Sequence, residues 1–246
     1  MLQSTSPLSI LATADVQMPG FAPFVAMAFL GTGLLLFGAA VGGAIALAFR
    51  RTRLARGIGA GGLLVGAGYA AVLLAASFLS HEKTLAPGEK KYFCEIDCHV
   101  ANSIVGTSTA KALGQPQRHI AALGSFHVVV LKTWFDPSTI ASFRGNAPLT
   151  PNPRIAYLVD SSGRRHDPSP AGLRAWEDEH GPTTPLTKDL RPGESYETAL
   201  VFDVPENAVN LRLFLGDPPG VENILIGHEN SPLHGKIYFV LPESHG

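Results

Sequence analysis

Charge is missing from residues 21 to 79 except at one place. That stretch is almost wholly apolar, and its only charged side chains are Arg50, Arg51, Arg53 and Arg56. No Asp, Glu, Lys, Arg or His lies inside either of its two apolar runs, which argues against a transporter or an intramembrane proton relay. The first 20 residues carry no Lys or Arg, and the first apolar run is too long for a cleaved signal peptide. Overall charge is close to balance, with 19 Lys+Arg against 20 Asp+Glu and no basic stripe, so no nucleic-acid partner is expected. The G-x-S-x-G elbow, the P-loop, the dinucleotide fingerprint and H-E-x-x-H are also absent; His228-Glu229 begins the last of these, but position 232 is Pro. No enzymatic activity is expected and no catalytic residue is assigned.

What is present begins with two runs, Phe24 to Phe49 and Gly57 to Leu79. Each exceeds the roughly 20 apolar residues that a bilayer-spanning helix needs. The predicted organisation is an N-terminal tail at 1–20, a first transmembrane helix at 21–49, a basic loop at 50–56, a second helix at 57–79, a linker at 80–91 and a β domain at 92–246. Four arginines in the short connection place it on the cytoplasmic side. Lys83, Lys90 and Lys91 oppose this weakly, since they open a large domain. The expectation is a multi-pass protein of the inner (cytoplasmic) membrane with both termini periplasmic. Gly38/Gly42, Gly57/Gly61 and Gly62/Gly66 repeat at GxxxG spacing. Small residues so spaced let helix backbones approach closely, either within the hairpin or against a larger membrane complex.

The remaining residues alternate and turn like a β protein. Strands are expected within Tyr92 to Val105 and at Ser125 to Phe135, Arg154 to Asp160, Ser195 to Val204, Val209 to Leu215 and Gly235 to Leu241. Asp136-Pro137, Ser162-Gly163, Arg191-Pro192-Gly193 and Asp217-Pro218-Pro219-Gly220 punctuate them. Pro170 to His180 alone reads as a helix. Leu190-Arg191-Pro192-Gly193-Glu194-Ser195, followed by Leu200-Val201-Phe202-Asp203-Val204-Pro205, resembles the late strands of bacterial extracytoplasmic immunoglobulin-like domains of unknown function. The resemblance implies an all-β immunoglobulin-like sandwich behind a transmembrane helical hairpin, and a location outside the cytoplasm. It implies no activity.

The only sign of special chemistry is Phe93-Cys94-Glu95-Ile96-Asp97-Cys98-His99, which holds both cysteines of the chain. An oxidising compartment favours a Cys94–Cys98 disulfide. In a regular strand, however, their Cα atoms would stand about 13 Å apart at ~3.3 Å per residue, beyond the roughly 4.4–6.8 Å that a disulfide tolerates, so the bridge would require a turn or bulge at Glu95 to Asp97. Two thiolates and an imidazole suit copper or zinc, with Cys94, Cys98 and His99 joined by His228, His234 or His127. The layout is similar to subunit II of cytochrome oxidases, a family that holds a binuclear copper centre. Here Asn102 and Val105 stand where that family has its next His and Met, and all three Met residues (Met1, Met18, Met27) precede the β domain, so the ligand set does not carry over. Covalent haem attachment needs C-x-x-C-H, and this chain has one residue more between its cysteines. Two thiols packed as small hydrophobes complete the alternatives. Trp134-Phe135 reads as a core aromatic pair, and the acidic run after Trp176 as a solvated face.

The functional expectation is an accessory or structural subunit of a larger membrane complex, presenting its β domain on the periplasmic face and partnered by the bilayer and other membrane proteins. The alternative is a copper-binding or redox protein built on the Cys94–His99 segment.

Overall fold

The structure is a computed structural model, and it describes residues 22–95 and 98–241. The expected tail at 1–20 lies outside the described residues. Two compact units emerge. One holds two long helices together with Pro219–Gly235, and the other holds the strands and a third helix.

In the helical unit, α1 spans Ala22–Ala48 and α2 spans Thr52–Leu79. At about 1.5 Å per residue each measures roughly 40 Å, enough to cross a bilayer. The connection is shorter than the predicted basic loop: α2 begins at Thr52, so Arg53 and Arg56 lie on its first turns. Arg50, at φ 58°, makes the tight reversal. Three contacts show the helices to be antiparallel. A Cβ on Gly42 would meet Ile58 at 3.6 Å, one on Gly62 would meet Ala39 at 3.1 Å, and one on Gly66 would meet Leu36 at 3.7 Å. The Gly62/Gly66 pair thus brings α2 against α1. Gly38, Gly57 and Gly61 face open space instead.

Pro219–Gly235 follows the C-terminal half of α2. The Tyr69 hydroxyl donates to the Ile224 carbonyl at 2.7 Å, and the Gly235 N–H donates to Ser80 Oγ at 2.7 Å. After a 3-10 turn at Val221–Ile224, the segment runs through consecutive tight turns.

The other unit is a β-sandwich. One sheet has the order β1 (Lys83–Leu85), β9 (Ile237–Val240), β8 (Arg212–Gly216), β5 (Ile155–Val159), β6 (Arg165–His166). The second has β2 (Lys91–Cys94), β3 (His99–Leu113), β4 (Ile120–Phe135), β7 (Ser195–Val204). Pairings are antiparallel except β1 with β9. Phe93, Ile104, Val129, Leu131 and Phe202 from one sheet close on Leu158, Leu213, Leu215 and Phe239 from the other. Period-two alternation explains how β4 serves two layers. Val129 and Leu131 enter this core, whereas Phe126 and Val128 face outward beneath α3 (Pro170–His180). The α3 boundaries follow from capping. Ser169 Oγ accepts from the Gly172 N–H at 3.1 Å, Pro170 opens the first turn, and Gly181 at φ 86° ends the helix.

Two further expectations are corrected. Tyr92 to Val105 is a hairpin rather than one strand: β2 stops at Cys94 and β3 starts at His99. The 80–91 linker contains β1, a strand of three residues whose pairing comes from β9, far along the chain.

Candidate functional site

The β2–β3 turn carries the residues that the sequence singles out. Its ladder pairs Phe93 with Val100 and Cys94 with His99. Cross-strand partners share a face, so Cys94 and His99 sit together on the outer face while Phe93 and Val100 point inward. The Glu95 N–H donates to the Cys98 carbonyl at 2.9 Å and closes the turn. Cys98 then packs into a cluster with Phe135, Leu190 and Tyr196. The strand-length objection to a disulfide therefore disappears, but a different one replaces it. Cys98 is committed to the interior and Cys94 to the outer face. Among the described residues no disulfide joins the two cysteines.

His99 is the unusual member. Both of its ring nitrogens are enclosed without a hydrogen-bond partner among the described residues. Burial holds its pKa below the ordinary histidine value, with the Asp136 carboxylate pulling in the opposite direction. Its backbone is fixed on both sides: the His99 N–H donates to Thr139 Oγ1 at 2.9 Å, and the Asp136 N–H donates to the His99 carbonyl at 3.2 Å. Asp136 is itself spoken for. Burial raises its pKa, but donation from the Ser138 hydroxyl and N–H outweighs this and leaves it below the usual range. Tyr92, two residues before Cys94, has its phenol pushed up by burial and by Asp136. Lys90 lies 3.6 Å over the Trp134 ring, so Trp134 belongs to this outer patch while its neighbour Phe135 is core. Cysteine, histidine and carboxylate are close, but the histidine bonds to neither.

The turn is anchored by a residue that the sequence reading passed over. Glu95 is buried and accepts from Arg154 and, at 3.2 Å, from the Asn152 N–H. Arg154 also bonds Asp217, and its guanidinium lies 4.3 Å over the Phe93 ring. Burial raises the Glu95 carboxyl, against the lowering effect of Arg154. A lone glutamate between two cysteines gives no pattern from which this network could be read.

The other predicted ligands belong to other segments of the chain. His228 and His234 belong to the helical unit: His228 is buried and its Nδ1 accepts from the Asn230 N–H at 3.1 Å, while His234 Nδ1 lies 2.7 Å from the Gly235 carbonyl. His127 sits on β4 with the inward parity of Val129, and burial, then His166 and Lys111, lower its pKa. Among the described residues no three His, Cys, Asp or Glu side chains come together as a metal-holding group. A second polar centre also escaped the sequence reading. Asp160, buried at the β5–β6 turn, accepts from Ser162, Arg164 and, at 3.1 Å, from His166 Nε2. Those bonds, the Ser162 hydroxyl foremost, hold it far below the usual carboxylate range.

No protein-family model matches this chain, and no curated protein matches it by sequence. Three solved structures are similar in part. A conserved hypothetical protein from Bacillus anthracis is 15% identical over 51% of this chain and 86% of its own, with TM-score 0.39. An uncharacterized β-sandwich protein from Clostridium difficile is 11% identical over 66% of this chain and 96% of its own, with TM-score 0.38. A secreted protein from Mycobacterium tuberculosis is 9% identical over 65% of this chain and 98% of its own, with TM-score 0.39.

Proposed function

We propose that this chain is a membrane-anchored accessory subunit whose helical hairpin seats an immunoglobulin-like sandwich on the periplasmic face of a larger membrane complex. One observation carries the reading: the apolar side chains of both helices are turned outward. Leu30, Leu34, Phe37, Leu63, Leu64 and Phe78 are all exposed. Leaving side chains of this size in water forgoes about 1.5–3 kcal/mol each. That sum rivals the whole net stability of a domain, roughly 5–15 kcal/mol. A hydrocarbon environment removes the conflict. The open faces of Gly57 and Gly61 leave a small-residue surface on α2 that its own partner helix does not use. The four arginines around the α1–α2 reversal support a cytoplasmic tip. Gentle detergent extraction followed by native mass measurement tests the assignment. An assembly well above the 26.0 kDa chain supports it, and a lone monomer in every mild detergent refutes it.

A second reading has its own observation. The unpartnered imidazole of His99 stands beside Cys94 on one face of the hairpin. One thiol and one imidazole suit monovalent copper, a soft ion, better than the closed four-ligand cage of structural zinc. Cys98 contributes to neither while it stays in the core. Copper retained at one equivalent, and lost in both Cys94→Ser and His99→Ala, would support this reading. Equal copper in all three proteins would remove it.

A further inference from the structure

The segment Pro219–Gly235 inverts the usual character of a surface loop. Its exposed residues are Pro219, Gly220, Val221, Ile224, Pro232 and Leu233, and every one is apolar. Of its polar residues, His228, Glu229 and Ser231 are buried, and Glu222, Asn223, Asn230 and His234 are half-buried. Val221 is 51% exposed, Ile224 50% and Leu233 66%. Leu233 holds φ 64°, a left-handed conformation that disfavours a residue with a branched side chain, and it does so with that side chain outward.

Much of the hydrogen bonding of this segment is internal. N–H groups of Asn223, Leu225, His228, Ser231 and His234 donate to the carbonyls of Gly220, Glu222, Leu225, His228 and Ser231, a chain of five successive tight turns. The Ser231 hydroxyl adds a second donor to the Leu225 carbonyl. The Ile224 carbonyl is met by Tyr69. Non-helical backbone at membrane depth is tolerated only when its polar groups are satisfied by protein.

Depth follows from the Tyr69 contact. Tyr69 precedes the end of α2 at Leu79 by ten residues, about 15 Å of helix. Counted from Arg56, it lies thirteen residues on, roughly 20 Å into a hydrocarbon core about 30 Å thick. Ile224 is therefore held beside a part of α2 that faces lipid chains.

We infer that Pro219–Gly235 is a membrane-seated loop, with Val221, Ile224 and Leu233 inserted among the lipids of the leaflet into which the C-terminal end of α2 emerges. This rests on the proposed membrane anchor. Single cysteines replacing Val221, Ile224 or Leu233 in the full chain carrying Cys94→Ser and Cys98→Ala, spin-labelled in nanodiscs of phosphatidylethanolamine and phosphatidylglycerol, would report the environment. Labels replacing Leu34 and Leu64 serve as helix references. Collision with oxygen exceeding collision with a water-soluble nickel chelate several-fold at all five positions is the expected result. A lipid-like signal at Leu34 and Leu64 with a water-like signal in the loop overturns the inference and leaves the anchor standing. A water-like signal at all five positions removes the anchor and the loop together. Loop labels shielded from both colliders overturn lipid insertion in favour of a covering protein surface. Should the cysteine background fail to fold, Ile224→Trp in the otherwise unaltered chain gives the same decision. Brominated lipid should quench the added fluorescence, and an unquenched tryptophan refutes the inference.

Discussion

The helical unit and the sandwich use the same side chains in opposite senses. In the sandwich Phe202, Leu158 and Leu213 are fully enclosed, and charged groups that enter it, Lys91, Glu95 and Asp160 among them, come with partners already in place. In the helical unit Leu63, Leu64 and Phe37 point outward, while Ser77, His228 and Glu229 are inside. The sandwich gains its stability by removing apolar area from water. The hairpin removes little, and its contacts are set by the close fit of Gly62 on Ala39. The two units thus place the same side chains oppositely, and composition alone marks off the two helices but not Pro219–Gly235, which joins them.

The sharpest challenge to that contrast is truncation of an aromatic or aliphatic side chain in each part. Phe202→Ala should cost about 3–5 kcal/mol, read from denaturant unfolding of the detergent-solubilised full chain followed by its two tryptophans, Trp134 and Trp176, both in the sandwich unit. Leu63→Ala should leave the same transition unmoved, because that side chain has no core to leave. Arg154→Ala should be comparably damaging, about 3–5 kcal/mol, because it strands the buried Glu95 charge. A loss well under that would mean that Glu95 is not held as an ion.

Gly172→Ala is smaller. The new Cβ would stand 2.8 Å from Val201 Cγ1 and 3.0 Å from the Phe126 ring, so α3 must lift from the sheet. A cost of about 1–3 kcal/mol is expected, and a neutral result would show α3 to be loosely seated. In the other unit, Gly62→Val should weaken the hairpin while Gly61→Val does not. Backbone hydrogen exchange along α2 in detergent would show the difference.

The gentlest effects are those of pH, and they have opposite signs at two carboxylates. Burial raises the folded pKa of Glu95 above its unfolded value, so its contribution is fully present below the ordinary glutamate pKa and lost as pH rises through the folded one. Asp160 is depressed, chiefly by the Ser162 hydroxyl, so its contribution is present above the ordinary aspartate pKa and lost as pH falls through the folded one. Glu95→Gln should therefore flatten the fall in stability on the alkaline side of the carboxylate range, and Asp160→Asn the fall on the acid side. Identical pH profiles for both variants would contradict the two environments.

Much of this architecture is legible in the sequence because local signals carry it. The apolar runs mark α1 and α2. Ser169-Pro170 and Gly181 bracket α3, and Ser195 to Val204 coincides with β7. The β2–β3 reversal escapes because Glu95 to Cys98 contains no Gly or Pro, and a turn without either looks like continuing strand. β1 and β6 escape because strands of three and two residues have no period to read. At the candidate site the Cys94–His99 neighbourhood depends on that hidden turn. Glu95 with Arg154, and Asp160 with His166, depend on pairings that only the assembled sheets bring about.

The parallel pairing of β1 with β9 has a consequence in time. Among the described residues Lys83 to Leu85 is the first strand in chain order, and its partners Ile237 to Phe239 follow 154 residues later. β9 also lies between β1 and β8 in its sheet. Until β9 has been synthesised, β1 lacks its partner and the sheet cannot reach that edge. Completion of the sandwich therefore waits on the synthesis of β9, and a chain truncated before residue 237 would leave two strand edges open to aggregation.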